Sequence, residues 1–191
     1  EAAVNVMGEQ VADYGLHDRV PGPCGTLHEH AAPHGNYPAA GDDRWIAISV
    51  ANEWHWRALT SALDGPAWMS LATFATAGGR HANRADLDQR LARETSRYEA
   101  GVLAAALVSA GVPAAALLDA SGIVASAQFR QRELFEMIEH PVLGSVPVYR
   151  LPWQIDGAPV PITRRAPLLG EHNDYTLKDV LGYSEERVTA L

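Results

Sequence analysis

Three histidines, His28, His30 and His34, fall within seven residues. Imidazoles at H-x-H-x3-H spacing can converge on zinc, with His17 or Glu29 completing the shell. The spacing matches no familiar closed tetrad, so the simpler expectation is loop histidines that bond backbone groups or line a cleft, with no metal. Asn52 and Glu53 stand where a strand gives way to a helix, a place that suits either an N-cap with a first-turn acid or a ligand-facing pair. Arg164 and Arg165 are either a phosphate clamp or a solvated pair, and His172 with Asn173 either an anion site at a helix start or a cap. The chain contains no G-x-S-x-G, P-loop, dinucleotide fingerprint or paired cysteines. Trp45, Trp54, Trp56, Trp68 and Trp153 read as core or interface rather than a cofactor stack.

Ala39–Asp43 is turn chemistry, and Arg44–Val50 alternates as a half-buried strand does. Asn52 is positioned to cap a helix that stops at Asp64-Gly65-Pro66. Trp68 and Phe74 are expected as core anchors, and Asn83 as the cap of a helix burying Leu87 and Leu91. An alanine-rich helix over 98–110 is expected to bury Val102, Leu103, Ala106 and Leu107, with Gly111 and Pro113 ending it. Residues 112–118 read as a short strand, and Asp119 or Ser121 as the cap of a helix carrying Ile123 and Val124. Strands are predicted over 134–139 and 145–151, and Gly157–Pro167 as an extended arm. The tail reads as two short helices, the first carrying Leu177, Val180 and Leu181, the second beginning at Ser184.

At the other end, a helix is predicted from Glu1, with Val4, Met7, Val11 and Tyr14 on one face, Gly15 as its stop, and Pro21–Gly25 as a breaker. Beginning without a cap suggests a chain cut from something longer. Both ends look for a partner surface.

The sequence is 47% hydrophobic and 20% charged, with a net charge of −8. That composition fits a globular chain and speaks against a nucleic-acid or anionic-membrane surface, which needs clustered cations. Lys178 is the only lysine and Cys24 the only cysteine. One cysteine permits no internal disulfide and fits a reducing compartment. With no membrane-length apolar run and no signal peptide, a cytoplasmic location is expected.

Four segments in order resemble the C-terminal part of the class III CoA-transferase family, which includes formyl-CoA and carnitine CoA-transferases and α-methylacyl-CoA racemase: HAAPHGNYPAAGDDRWIAISVANEWHWRAL, LVSAGVPAAALLDA, FEMIEHPVLGSVPVYRLPWQI and RRAPLLGEHNDYTLKDVLGYSEERVTAL. The resemblance implies an α/β fold in which an α+β small domain is inserted in a Rossmann-like large domain, with two chains interlocked as a homodimer. It places 1–20 as a large-domain helix, 21–36 as linker, 37–142 as the small domain, 143–167 as a strand and return arm, and 168–191 as helices docking on the large domain. It implies a coenzyme A thioester and a carboxylic acid as substrates, no tightly bound cofactor, and an aspartate nucleophile upstream of Glu1, so no catalytic residue here. His34, Gly35, Asn36, Tyr37 and Asn52 are the residues it places along the acyl group. Asn52 aligns with a racemase acid/base glutamate and Gly35 with a racemase tyrosine; both departures favour a transferase over a racemase. A non-catalytic binding module of this fold is the alternative from another class.

Overall fold

The computed structural model describes residues 2–20 and 22–191. The helix start expected at Glu1 and the first residue of the Pro21–Gly25 breaker lie outside them. The chain packs as two units, Glu1–Leu117 and Leu118–Leu191, a division that falls inside the 37–142 stretch.

The first unit is organised on an antiparallel sheet of β1 (His34–Pro38), β2 (Trp45–Ser49) and β3 (Ala114–Ala116), in that order. β1 begins inside the segment expected to be linker. Registers Tyr37↔Ile46 and Gly35↔Ile48 put one face inward, while His34↔Ser49, Asn36↔Ala47 and Ala47↔Ala115 share the other. Ile46 and Ile48 are buried as the alternation predicts. Helices α3 (Glu53–Ala62), α5 (Arg84–Thr95) and α6 (Ala100–Ser109) cover that inner face with Trp56, Leu59, Leu87, Leu91, Leu103 and Leu107. Burying each such side chain stabilises by about 1.5–3 kcal/mol. Asn52 caps α3 as expected, its Oδ1 accepting from His55 N at 2.8 Å.

Between α3 and α5 run two 3-10 turns, Ala67–Ser70 and Ala72–Phe74, and the short helix α4 (Ala77–Ala82). Phe74 is fully buried, and Trp68 packs on it edge-to-face at 5.6 Å. A Cβ at Gly79 would lie 2.4 Å from the Thr73 carbonyl, so only glycine lets α4 approach this closely. The approach seats Arg80, 1% exposed, in the core. Its guanidinium donates to Ala32 O at 3.0 Å, Phe74 O at 3.1 Å and both Glu53 carboxylate oxygens at 2.8 and 3.1 Å, and lies 4.8 Å from the Trp56 ring centre.

Several local expectations are corrected. The first helix is two pieces, α1 (Ala2–Asn5) and α2 (Gly8–His17); it runs past Gly15 and ends where Asp18 takes a left-handed φ of 53°. The side chains of Val4, Met7, Val11 and Tyr14 are exposed. Asn83 precedes α5 but does not cap it; its amide donates to Gly79 O and closes α4 instead. Helix α6 begins later than expected, capped by Glu99, and buries Ala100, Leu103, Ala104 and Leu107, leaving Val102 66% exposed and Ala106 outside. The face is one step out of phase because Ala100 and Ala104, small enough for close approach, take the inner positions. Gly111, with φ 79°, ends the helix as expected.

In the second unit Asp119 caps α7 (Ala120–Ala125), followed by α8 (Ala127–Gln131). The hairpin β4 (Phe135–His140) and β5 (Gly144–Tyr149) falls close to the predicted strands. The arm is not wholly extended: β6 (Gln154–Ile155) and β7 (Ala158–Pro159) form a small hairpin across Asp156-Gly157. In the tail, Tyr175–Val180 is a π-helix with Leu177 half-buried but Val180 and Leu181 exposed, and Ser184 caps α9 (Glu185–Thr189).

The Arg80–Glu53 pair sets an acid limit. Hydrogen bonding from Arg80 holds the Glu53 carboxyl below its ordinary range. A depressed carboxylate contributes stability above its unfolded pKa and loses it as pH falls through the folded value. Glu53→Ala removes the carboxylate from a buried cation that keeps two carbonyl partners, and because Glu53 is itself half-exposed the cost at pH 7 should be about 1–2 kcal/mol. The penalty should shrink on acidification below the ordinary glutamate range. Urea unfolding followed by tryptophan fluorescence, dominated by the four tryptophans of the first unit, reads both. A loss under about 0.5 kcal/mol, the surface-substitution range, at pH 7 would refute the account.

Candidate functional site

Alternate residues of the three strands face away from the core. His34 and Asn36 project from β1, Ala47 and Ser49 from β2, and Ala115 from β3, because alternate residues of paired strands share a face. This face is the floor of a cavity of about 630 Å³. Val108 and Pro113 wall one side, and Gly25 and Thr26, on the loop before β1, close the other. The His34 Nδ1 and the Ser49 hydroxyl share a 2.9 Å hydrogen bond across the two strands. Burial, then the neighbouring His28 and Arg84, push the His34 imidazole below its usual pKa, so at pH 7 it is neutral.

The loop carrying the histidines is held from behind. Arg80, Arg84 and Asp88 follow one another at four-residue spacing along α4 and α5. Arg80 takes the Ala32 carbonyl; Arg84 Nη2 takes the Thr26 carbonyl at 3.2 Å and the His34 carbonyl; Asp88 accepts the Tyr37 hydroxyl at 2.7 Å and pairs with Arg84 at 3.3 Å. Arg84 therefore ties the loop on one side of the cavity to the strand forming its floor.

Of the residues expected along a substrate, His34, Gly35 and Asn36 line this cavity. Tyr37 points the other way, into the core; burial first, then the bond to Asp88, raises its hydroxyl pKa above the ordinary range. Asn52 is exposed at the start of α3 and is not among the described residues lining the cavity. The three loop histidines form ring contacts rather than a ligand shell. His28 and His34 lie 4.9 Å apart, His30 N donates to His28 Nδ1, and among the described residues no group of three His, Cys, Asp or Glu is placed to hold a metal. Arg165 is gripped by both oxygens of Glu171, whose carboxyl is driven to about 2, first by that bond and then by the Leu168 N–H. It is an internal clamp.

Thr26, Ser49, Ala115 and Arg84 were not singled out from sequence. Ser49 and Ala47 share a parity in the Arg44–Val50 alternation, so a signal for them existed. Arg84 and Thr26 meet across 58 residues, and no spacing rule joins them.

With this geometry in view, the family follows. The family model for CoA-transferase family III matches residues 1–173, and the chain belongs to that family. A probable CoA-transferase of Mycobacterium tuberculosis is 30% identical over 86% of this chain and 21% of its own length. The succinyl-CoA–D-citramalate CoA-transferase of Chloroflexus aurantiacus is 26% identical over 100% of this chain and 47% of its own. Among solved structures, a CaiB/BaiF family protein from Brucella suis superposes with a TM-score of 0.76 at 26% identity, over 92% of this chain and 45% of that one. The chain thus spans less than half the length of these relatives. No helix among the described residues is long and apolar enough to cross a membrane.

His34 should titrate below the usual imidazole range in an NMR pH series. Arg84→Gln, which removes a nearby cation, should raise its midpoint while leaving it depressed, since burial is the larger cause. An unchanged midpoint would remove Arg84 from the electrostatics of the cavity.

Proposed function

We propose that this chain is the C-terminal portion of a class III CoA-transferase, which moves CoA between an acyl-CoA and a carboxylic acid. The observation that carries the reading is the family match over most of the chain, joined to a span of less than half the relatives' length. On this reading the nucleophile is an aspartate upstream of Glu1. Its carboxylate attacks the thioester carbonyl and expels CoA thiolate to give a mixed anhydride. The thiolate then attacks the aspartyl carbonyl, releasing the acyl group as a free acid and leaving an aspartyl-CoA thioester. The acceptor carboxylate repeats the exchange in reverse and leaves with CoA.

What this chain contributes is the surface along the acyl group, formed by His34, Gly35 and Asn36. None of the described lining residues is a carboxylate or thiol nucleophile. Further parts of the reading are that residues 37–142 belong to the small domain, that the end helices dock on a large domain, that the full-length protein is a cytoplasmic interlocked homodimer, and that this chain alone is inactive. The exposed apolar residues of α1, α2 and the tail, among them Val11, Tyr14, Val180 and Leu181, support the docking.

Intact mass after incubation with several acyl-CoA thioesters tests this. The expected result is no adduct on these 191 residues, and an enzyme–CoA thioester once the upstream half is restored. An adduct on this chain alone would place the nucleophile inside it. No adduct in either case would favour a binding module.

A further inference from the structure

We propose that the cavity on the outer sheet face admits an acyl group only when that group is uncharged and largely apolar, and rejects an acyl chain ending in a carboxylate. The identity of the ligand as a thioester rests on the proposed function; the discrimination rests on the cavity itself.

The floor and wall are small or apolar at Ala47, Ala115, Val108 and Pro113. The polar groups facing the space are those of Thr26, His34, Asn36 and Ser49, all neutral at pH 7 once the His34 imidazole is held unprotonated. No lysine or arginine is among the described lining residues. The Arg84 guanidinium is not among the described lining groups and is committed to other partners: its Nε faces Asp88 and its Nη2 is taken by the Thr26 and His34 carbonyls. A carboxylate entering here gives up water and meets no cationic side chain among the described lining residues, whereas a hydroxyl and an amide suffice for one thioester carbonyl. The volume, about 630 Å³, exceeds what a formyl or acetyl group fills and suits a branched or aryl chain.

The test uses the ¹⁵N-labelled 191-residue chain and thioesters of N-acetylcysteamine, which carry the acyl group without CoA. Isovaleryl and 3-phenylpropionyl thioesters should shift the amide resonances of Ala47, Ser49 and Ala115. The succinyl thioester should bind at least about tenfold more weakly than its own methyl ester, which has the same backbone without the charge. Ala115→Arg, an exposed position on the rim strand, should abolish or invert that preference; Asn36→Lys serves the same purpose if the first variant does not fold. Succinyl binding as tight as its methyl ester in the native chain, shifts that map outside the cavity, or a folded cationic variant with an unchanged preference would each overturn the proposal. These probes need no turnover. Failure of the transferase reading appears separately, as the missing CoA adduct when the upstream half is present.

Discussion

Arg80 carries a full charge into the core, and three separate pieces of chain are arranged to satisfy it. The carbonyl of Ala32 comes from the loop before β1, that of Phe74 from a 3-10 turn, the carboxylate from the first turn of α3, and the ring of Trp56 from one turn further. A buried guanidinium short of partners is far more costly than an ordinary lost hydrogen bond. Each piece is therefore held to the others with little freedom to slide. The loop entering β1 is one of those pieces, so the position of the cavity floor is set from the core side. Gly79 belongs to the same constraint, because a side chain there would lift α4 and draw Arg80 out of its seat.

Arg84 extends this control outward. Arg80 is almost wholly enclosed, while the Arg84 side chain keeps 12% of its surface exposed and reaches the loop across the cavity from the floor. One arginine fixes where the strand lies, and the next fixes how far the Thr26 loop stands from it. A Cβ at Gly35 would approach Thr26 Oγ1 to 3.3 Å and the Tyr37 hydroxyl to 3.5 Å, so a larger residue there would press on both side chains. The cavity is thus bounded by backbone held in place rather than by long side chains free to choose rotamers, which is how a neutral pocket keeps its shape without a ligand.

Much of this was legible in the sequence where the information is local. The period of Arg44–Val50, the cap at Asn52, the stop at Gly111 and the 134–151 hairpin all follow from rules that act over a few residues. What escaped was the choice between equivalent local solutions. Asn83 had a helix ahead of it and a helix behind, and its amide went to the one behind. The α6 face turned by one position because Ala100 and Ala104 permit a closer approach than Val102, a matter of packing against α3 and the sheet. Of the five residues placed along a substrate, three line the cavity; strand parity sends Tyr37 opposite to Asn36, and Asn52 caps α3. The same parity rule, applied to β1 as it was to β2, would have separated Tyr37 from its neighbours in advance.

The histidines show how a chemically suggestive spacing resolves when the backbone is specified. Ligation needs ring nitrogens aimed at one point, but β1 begins at His34 and commits its Nδ1 to Ser49 across the sheet, while His28 Nδ1 accepts the backbone N–H two residues on. Both Nδ1 atoms are therefore engaged in local bonds, which help set the tilt of the two rings. The remaining effect of the cluster is electrostatic. With His28 and Arg84 beside it and its ring partly withdrawn from water, His34 stays unprotonated, and the polar floor of the cavity is built from hydrogen-bonding groups without net charge.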